Sequence, residues 1–168
     1  LNQLEFGNEV ITMERFDLTE LIQGVINASA ILLNQNEITL NFSQQEPLFA
    51  WADEFKVEEV VTNYLSNAIH HAEGEKRIDI RCAKKNDKVR VSVFNTGKPI
   101  PEEDVDNIWI KFYKVDKART REYGGSGIGL SIVQAIMDSF HQKCGVINHE
   151  DGVEFWFELE TNNGNFFS

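Results

Sequence analysis

The chain of 168 residues is 42% hydrophobic and 26% charged, proportions that fit one globular domain with a substantial core and leave too little for two. Its 16 basic and 27 acidic side chains leave a formal charge of −11, which excludes a broad nucleic-acid or anionic-membrane surface, because phosphate-rich partners are held by net basic faces. No apolar run has the length of a membrane span, no secretory signal is legible at the start, and a chain opening on Leu1 is expected to be part of something longer.

LNQLEFGNEV reads as the last turns of a helix, with Leu1 and Leu4 on one side and Gly7 as its stop. In ERFDLTELIQ, Asp17 can cap a helix with Glu20 three residues on, and Phe16 can staple to Leu21. That helix is expected to run to about Leu33. EITLNFS (37–43) alternates Ile38, Leu40 and Phe42 at strand spacing, and LFAWA (48–52) follows Pro47 as a short strand. The clearest helix runs from Asp53 to Ala72, where Val57, Val60, Val61, Tyr64, Leu65, Ala68 and Ile69 recur at steps of three and four. RIDIRCA (77–83) and KVRVSVF (88–94) alternate as two strands joined across KKND. Cys82 shares parity with Ile78 and Ile80, and neither it nor Cys144 has metal-type spacing, so free thiols in a reducing compartment are expected. A region poor in strand signals extends from Thr96 to about Gly125 and carries Lys111, Lys114, Lys117, Arg119 and Arg121, a local basic cluster in an acidic chain. Ile128–Phe140 reads as a helix, GVINHE and VEFWFELE as closing strands, and the tail TNNGNFFS as polar and disordered.

Three short stretches hold residues suited to chemistry. GGSGIGLS has the outline of a phosphate-binding P-loop at Gly124, Gly129 and Ser131, but Leu130 stands where the lysine belongs and no strand precedes it. The dinucleotide pattern fails as well, because Leu130 also occupies the place of the third glycine. Glycines leading into a helix can still turn backbone amides onto an anion, as a bare hinge would also look. In NYLSNAIHHA (63–72), Asn63, Asn67 and His70 fall within about 60° of one another on a helix. A carboxamide oxygen there suits Mg²⁺, although the same residues could simply edge the solvent face. In VRVSVFNTGKPIP (89–101), Asn95 shares parity with Val89, Val91 and Val93, so an inward strand face ends in a carboxamide before Gly97. Such a group can read a heterocycle edge or shape a turn.

Taken in order, an Asn-bearing helix, an Asn-Thr-Gly after a strand, a basic stretch containing Phe112 and a glycine-rich helix start resemble the ATP-binding catalytic domain of sensor histidine kinases. The N box of that family is matched by Asn63–Ala72, the G1 box by Asn95–Ile100, the F box by Trp109–Tyr113 and the G2 box by Gly125–Leu130. Asn95 and Pro99 look like the vancomycin-resistance type of sensor kinase. The resemblance implies an α+β, two-layer α/β sandwich of the Bergerat (GHKL) fold. It would have a mixed, mostly antiparallel sheet of about five strands on three helices, with a flexible ATP lid over about 96–127. It also implies three segments: residues 1–12 as the end of a dimerisation helix and linker, 13–160 as the catalytic domain, and 161–168 as a tail.

By the same resemblance, ATP and Mg²⁺ are the cofactors, Asn67 holds the metal and Asn63 supports the phosphates. His70 replaces a basic phosphate contact of the family, and His71 a tyrosine that packs near the nucleotide. Asn95, in place of an aspartate, reads adenine beside Gly97; Phe112 anchors the lid, and Lys114 contacts phosphate. Gly125, Ser126, Gly127, Gly129 and Leu130 wrap the triphosphate. Hydrolytic relatives place a glutamate four residues before the metal-binding Asn, where this chain has Asn63, which cannot act as a general base. The phosphoacceptor motif is absent and none of His70, His71, His141 and His149 sits in its context, so no catalytic nucleophile is expected. The implied function is transfer of the ATP γ-phosphoryl group to a histidine on a separate dimerisation domain, with a response regulator as partner and no nucleic acid. The fragment would be monomeric and cytoplasmic, and the full-length protein a membrane-anchored homodimer. The alternatives are a degenerate domain without kinase activity and a hydrolytic relative.

Overall fold

The computed structural model describes residues 3–6, 9–44, 46–110 and 129–162, with side chains from Val10 onward. The chain opens with a hairpin in place of the expected helix end: β1 (Gln3–Phe6) pairs antiparallel with β2 (Glu9–Thr12), Gln3 opposite Thr12. Two leucines three apart are too short a helical signal to prevail. Val10, Ile11 and Thr12 are β-branched, which favours a strand over a helix end.

The next strand, β3 (Glu14–Asp17), has no counterpart in the sequence reading and runs straight into α1 (Leu18–Ala28). The Asp17 carboxylate accepts the Glu20 backbone N–H at 3.0 Å, so the expected cap is in place. Leu18, Ile22 and Val25 form the buried stripe of α1. The helix stops short of Leu33, because Ser29 leaves helical geometry at φ −97°, ψ 3° and a separate short helix, α2 (Ala30–Gln35), follows. Serine competes for neighbouring backbone groups and so suits such a break.

After β4 (Thr39–Phe42) and β5 (Phe49–Ala52) comes the long helix α3 (Glu54–His71). Its cap, Asp53, accepts the N–H groups of Phe55 and Lys56 on one oxygen and that of Thr12 on the other, at 3.1, 3.2 and 3.0 Å. All seven apolar residues expected on its inner face are buried. β6 (Arg77–Lys85) and β7 (Lys88–Thr96) form a hairpin. A 3₁₀ turn at Glu102–Asp104 follows, then α4 (Gly129–Ser139), β8 (Cys144–His149) and β9 (Gly152–Glu160).

The main sheet has seven strands against the five or so expected, in the order β3-β5-β9-β7-β6-β4, with β8 also pairing β9. Among the described residues only β4 and β6 pair in parallel. Four helices, rather than three, accompany it among the described residues. Ile78, Ile80, Val89, Val91, Val93, Phe155, Phe157 and Leu159 point from the sheet into one core with Ile22, Tyr64, Leu65, Ile136 and Met137 from the helices. Each fully buried large side chain contributes about 1.5–3 kcal/mol, which makes this layer contact the main source of stability. Tyr64 sits in it with its hydroxyl donating to the Trp156 carbonyl at 2.9 Å. The opposite face of the sheet carries rings covered by guanidinium groups: Arg15 on Phe49 at 4.1 Å, Arg77 on Phe94 at 5.6 Å and Arg90 on Trp156 at 3.8 Å. Arg77 and Arg90 are also ion-paired, to Asp79 at 3.0 Å and Glu158 at 2.8 Å. Both cysteines are free and half-buried, and burial pushes the Cys82 thiol up to about 12 and that of Cys144 to about 11.

Candidate active site

The C-terminal half of α3 carries Asn63, Asn67 and His70, all half-buried on the border of the core-facing stripe. Asn63 Nδ2 donates to the Glu59 carbonyl one turn back, at 2.9 Å, which fixes the carboxamide along the helix. Its oxygen then faces the first residue of α4 so closely that a Cβ on Gly129 would lie 2.9 Å from it. Any larger residue at that position would have to displace the Asn63 carboxamide, so glycine lets the two helices meet around it. Leu130, the residue that spoils the P-loop pattern, packs against the core and seats the head of α4. Burial lowers the His70 imidazole from its ordinary value of 6.5, favouring the neutral ring at neutral pH. The His71 side chain is exposed, and its backbone carbonyl lies against Gly97.

The end of β7 meets this helix end. Asn95 is 2% exposed, aligned with buried Val89, Val91 and Val93 as its parity predicts, and its Nδ2 donates to the Thr96 carbonyl at 3.0 Å. Gly97 has φ +150°, and a Cβ there would lie 2.7 Å from the His71 carbonyl oxygen and 3.4 Å from Asn95 Nδ2. The structure thus brings Asn95, Gly97 and the end of α3 together, and separately joins Asn63 to Gly129.

Two further residues hold this arrangement and escaped the sequence reading as site residues. Thr96 is 4% exposed; its hydroxyl donates to the Glu73 carbonyl at 2.9 Å and accepts the Arg77 N–H at 3.0 Å. The Glu73 N–H in turn donates to the Thr96 carbonyl at 2.9 Å, so Thr96 latches the exit of α3 to the end of β7. Asn148 on β8 accepts the Ile100 N–H at 2.9 Å and donates to the Ile100 carbonyl at 2.8 Å. The parity signal that exposes Asn95 would have found Asn148, since Cys144, Val146 and Asn148 alternate in the same way. Beyond Ile100, Ile108 is buried and Trp109 packs edge-on against Phe155 at 5.9 Å. Phe112, Lys114, Gly125, Ser126 and Gly127 lie outside the described residues.

Comparison with known families matches residues 52–163 to the histidine kinase-, DNA gyrase B- and HSP90-like ATPases. The chain belongs to that family. Among its relatives, the sensor protein kinase WalK of Staphylococcus epidermidis is 32% identical over 142 residues, covering 83% of this chain and 23% of WalK. The sensor protein VanSB of Enterococcus faecalis is 33% identical over 103 residues, covering 61% of this chain and 23% of VanSB. The catalytic domain of histidine kinase ThkA superposes with a TM-score of 0.79 at 33% identity, covering 89% of this chain and 96% of that domain. ThkA has also been solved in complex with the response regulator protein TrrA, and that kinase chain matches at 32% identity and a TM-score of 0.77, over 91% of this chain and 43% of its own. This ATPase-family chain is thus a catalytic domain of the sensor histidine kinase type, with the Bergerat fold, and it spans 23% of the length of these two curated relatives.

Proposed function

We propose that this chain is the part of a two-component sensor kinase that binds Mg²⁺-ATP and delivers its γ-phosphoryl group to a histidine on a dimerisation domain. The observation that carries this reading is the convergence of Asn95 and Gly97 with the end of the helix bearing Asn63, Asn67 and His70, while Asn63 touches the head of α4. Asn95 would accept from the adenine amino group. Asn67 would hold Mg²⁺ through its carboxamide oxygen, with Asn63 and His70 along the phosphates and the glycines before α4 wrapping them. Among the described residues no group of three or more His, Cys, Asp and Glu could hold a metal ion by itself. A half-buried neutral oxygen therefore fits an ion that arrives with the nucleotide and takes its other ligands from phosphate and water. Bound there, the metal would neutralise charge on the triphosphate; the residues of the chain bind, orient and exclude water.

No general base for water stands at Asn63, so positioning rather than proton abstraction is the contribution of this chain, and a neutral histidine nucleophile needs no more. The acceptor histidine, the homodimer that carries it and a membrane anchor belong to the full-length protein, whose partner is a response regulator. Among the described residues no helix is long and apolar enough to cross a membrane. The test mixes the purified chain with a separately produced dimerisation domain and Mg²⁺-ATP. Phosphohistidine is expected on the second protein only, and Asn67→Ala should abolish both it and Mg²⁺-dependent ATP binding with the fold retained. Robust ATP turnover by the chain alone would overturn the transferase reading in favour of a hydrolase.

A further inference from the structure

We propose that Asn148 is a positioning residue for the nucleotide, acting through Ile100 to fix where the chain leaves β7. This rests on the nucleotide reading given above. In the register of the sheet, Val153 of β9 pairs with Asn95 on one side and Asn148 on the other. The two asparagines therefore lie in one row and, by the alternation of side chains along strands, on the same face of the sheet. Asn95 closes the inward set of β7, and Asn148 closes that of β8.

The Asn148 carboxamide meets Ile100 as a backbone peptide would, accepting its N–H at 2.9 Å and donating to its carbonyl at 2.8 Å. One side chain thus extends the sheet by one residue beyond β8. Gly97 is tied to the same hairpin, its N–H donating to the Asp151 carbonyl at 3.0 Å. Between these two fastenings only Lys98 and Pro99 are exposed. The turn after Asn95 is consequently held at both ends by the β8–β9 hairpin, and the segment leading to Ile108 and Trp109 starts from a fixed point. Loss of the pair would free Ile100 while Gly97 stayed tied, a local loosening next to the group proposed to read adenine.

Asn148→Ala and Asn148→Asp separate this from a plain stability role. Binding is read with N-methylanthraniloyl-ATP and Mg²⁺, and the Ile100 amide by hydrogen exchange. Asn148→Ala is expected to weaken binding about tenfold, because a site loosened by about an ångström loses that much or more. The Ile100 amide should exchange faster while amides of β9 keep their protection. In Asn148→Asp the ionised carboxylate can accept from Ile100 but cannot donate to its carbonyl, whereas the protonated acid can do both. At about pH 7.5 Asn148→Asp should therefore keep much of the Ile100 amide protection yet bind the analogue more weakly than the parent chain, because its carboxylate faces the Ile100 carbonyl with no proton to share. Affinity unchanged in Asn148→Ala overturns the assignment alone. Weakened binding accompanied by loss of β9 protection reduces Asn148 to a structural residue and also overturns it. A parent chain that binds no nucleotide analogue refutes the nucleotide reading and this inference with it.

Discussion

Replacing Gly97 by alanine tests whether the junction of β7 and α3 is as tight as it stands. A Cβ at this position would lie 2.7 Å from the His71 carbonyl oxygen. Carbon–oxygen contacts settle near 3.3 Å or beyond, so the two segments would have to separate by about 0.6 Å. The obstacle is backbone, which cannot rotate away as a side-chain tip would. Overpacking of this kind costs about 1–3 kcal/mol, and an L-residue held in a sparsely populated backbone region costs a similar amount. Partial relaxation serves both, so a net loss of about 3 kcal/mol is expected, or about 6–12 °C in Tm for a domain of this size. Gly24 is the control: it lies inside α1 with nothing within 4 Å of a built Cβ. There the same substitution should stabilise by about 0.5–1 kcal/mol through helix propensity. Urea unfolding of both variants, with the slope checked for constancy, measures the difference. A Gly97→Ala chain within about 0.5 kcal/mol of the parent, which is the range of ordinary surface substitutions, would refute the steric reasoning.

Thr96→Val keeps the shape but strips the hydroxyl that serves Glu73 and Arg77, leaving two backbone groups without that partner; about 1–3 kcal/mol should be lost in urea unfolding and largely restored by Thr96→Ser. The His70 imidazole is lowered by burial, so the unfolded chain binds the proton more readily in the window below 6.5. Its contribution to stability is complete above that value and is lost as pH falls through the folded value. His70→Asn should therefore flatten the Tm–pH curve of the nucleotide-free chain between about pH 7 and 5, and a curve parallel to that of the parent would contradict the desolvation argument.

What could be read in advance followed local periodicity. The inner face of α3 and the alternation of β6 and β7 each repeat over enough residues for the pattern to name the buried set, and the candidate site residues Asn63, Asn67 and Asn95 are legible as polar groups at the borders of those patterns. β3 offers four residues with one buried, Phe16, which is no pattern at all. The break at Ser29 and the parallel pairing of β4 with β6 depend on what the chain meets elsewhere, and no local spacing encodes that. Parity places Asn148 with Cys144 and Val146 on one face of β8, but the backbone groups that it and Thr96 fasten belong to distant residues, partners that sequence proximity does not supply.

The guanidinium plates over Phe49, Phe94 and Trp156 have a consequence for the side of the sheet on which no described helix packs. A bare sheet face set with aromatic rings is flat, apolar and inviting to any other flat apolar surface. Here a newcomer reaching for Phe94 or Trp156 would first have to lift an arginine that is both stacked on the ring and paired to a carboxylate, and then strip the water from it. The exposed face is thereby shielded from casual contact without a third layer among the described residues.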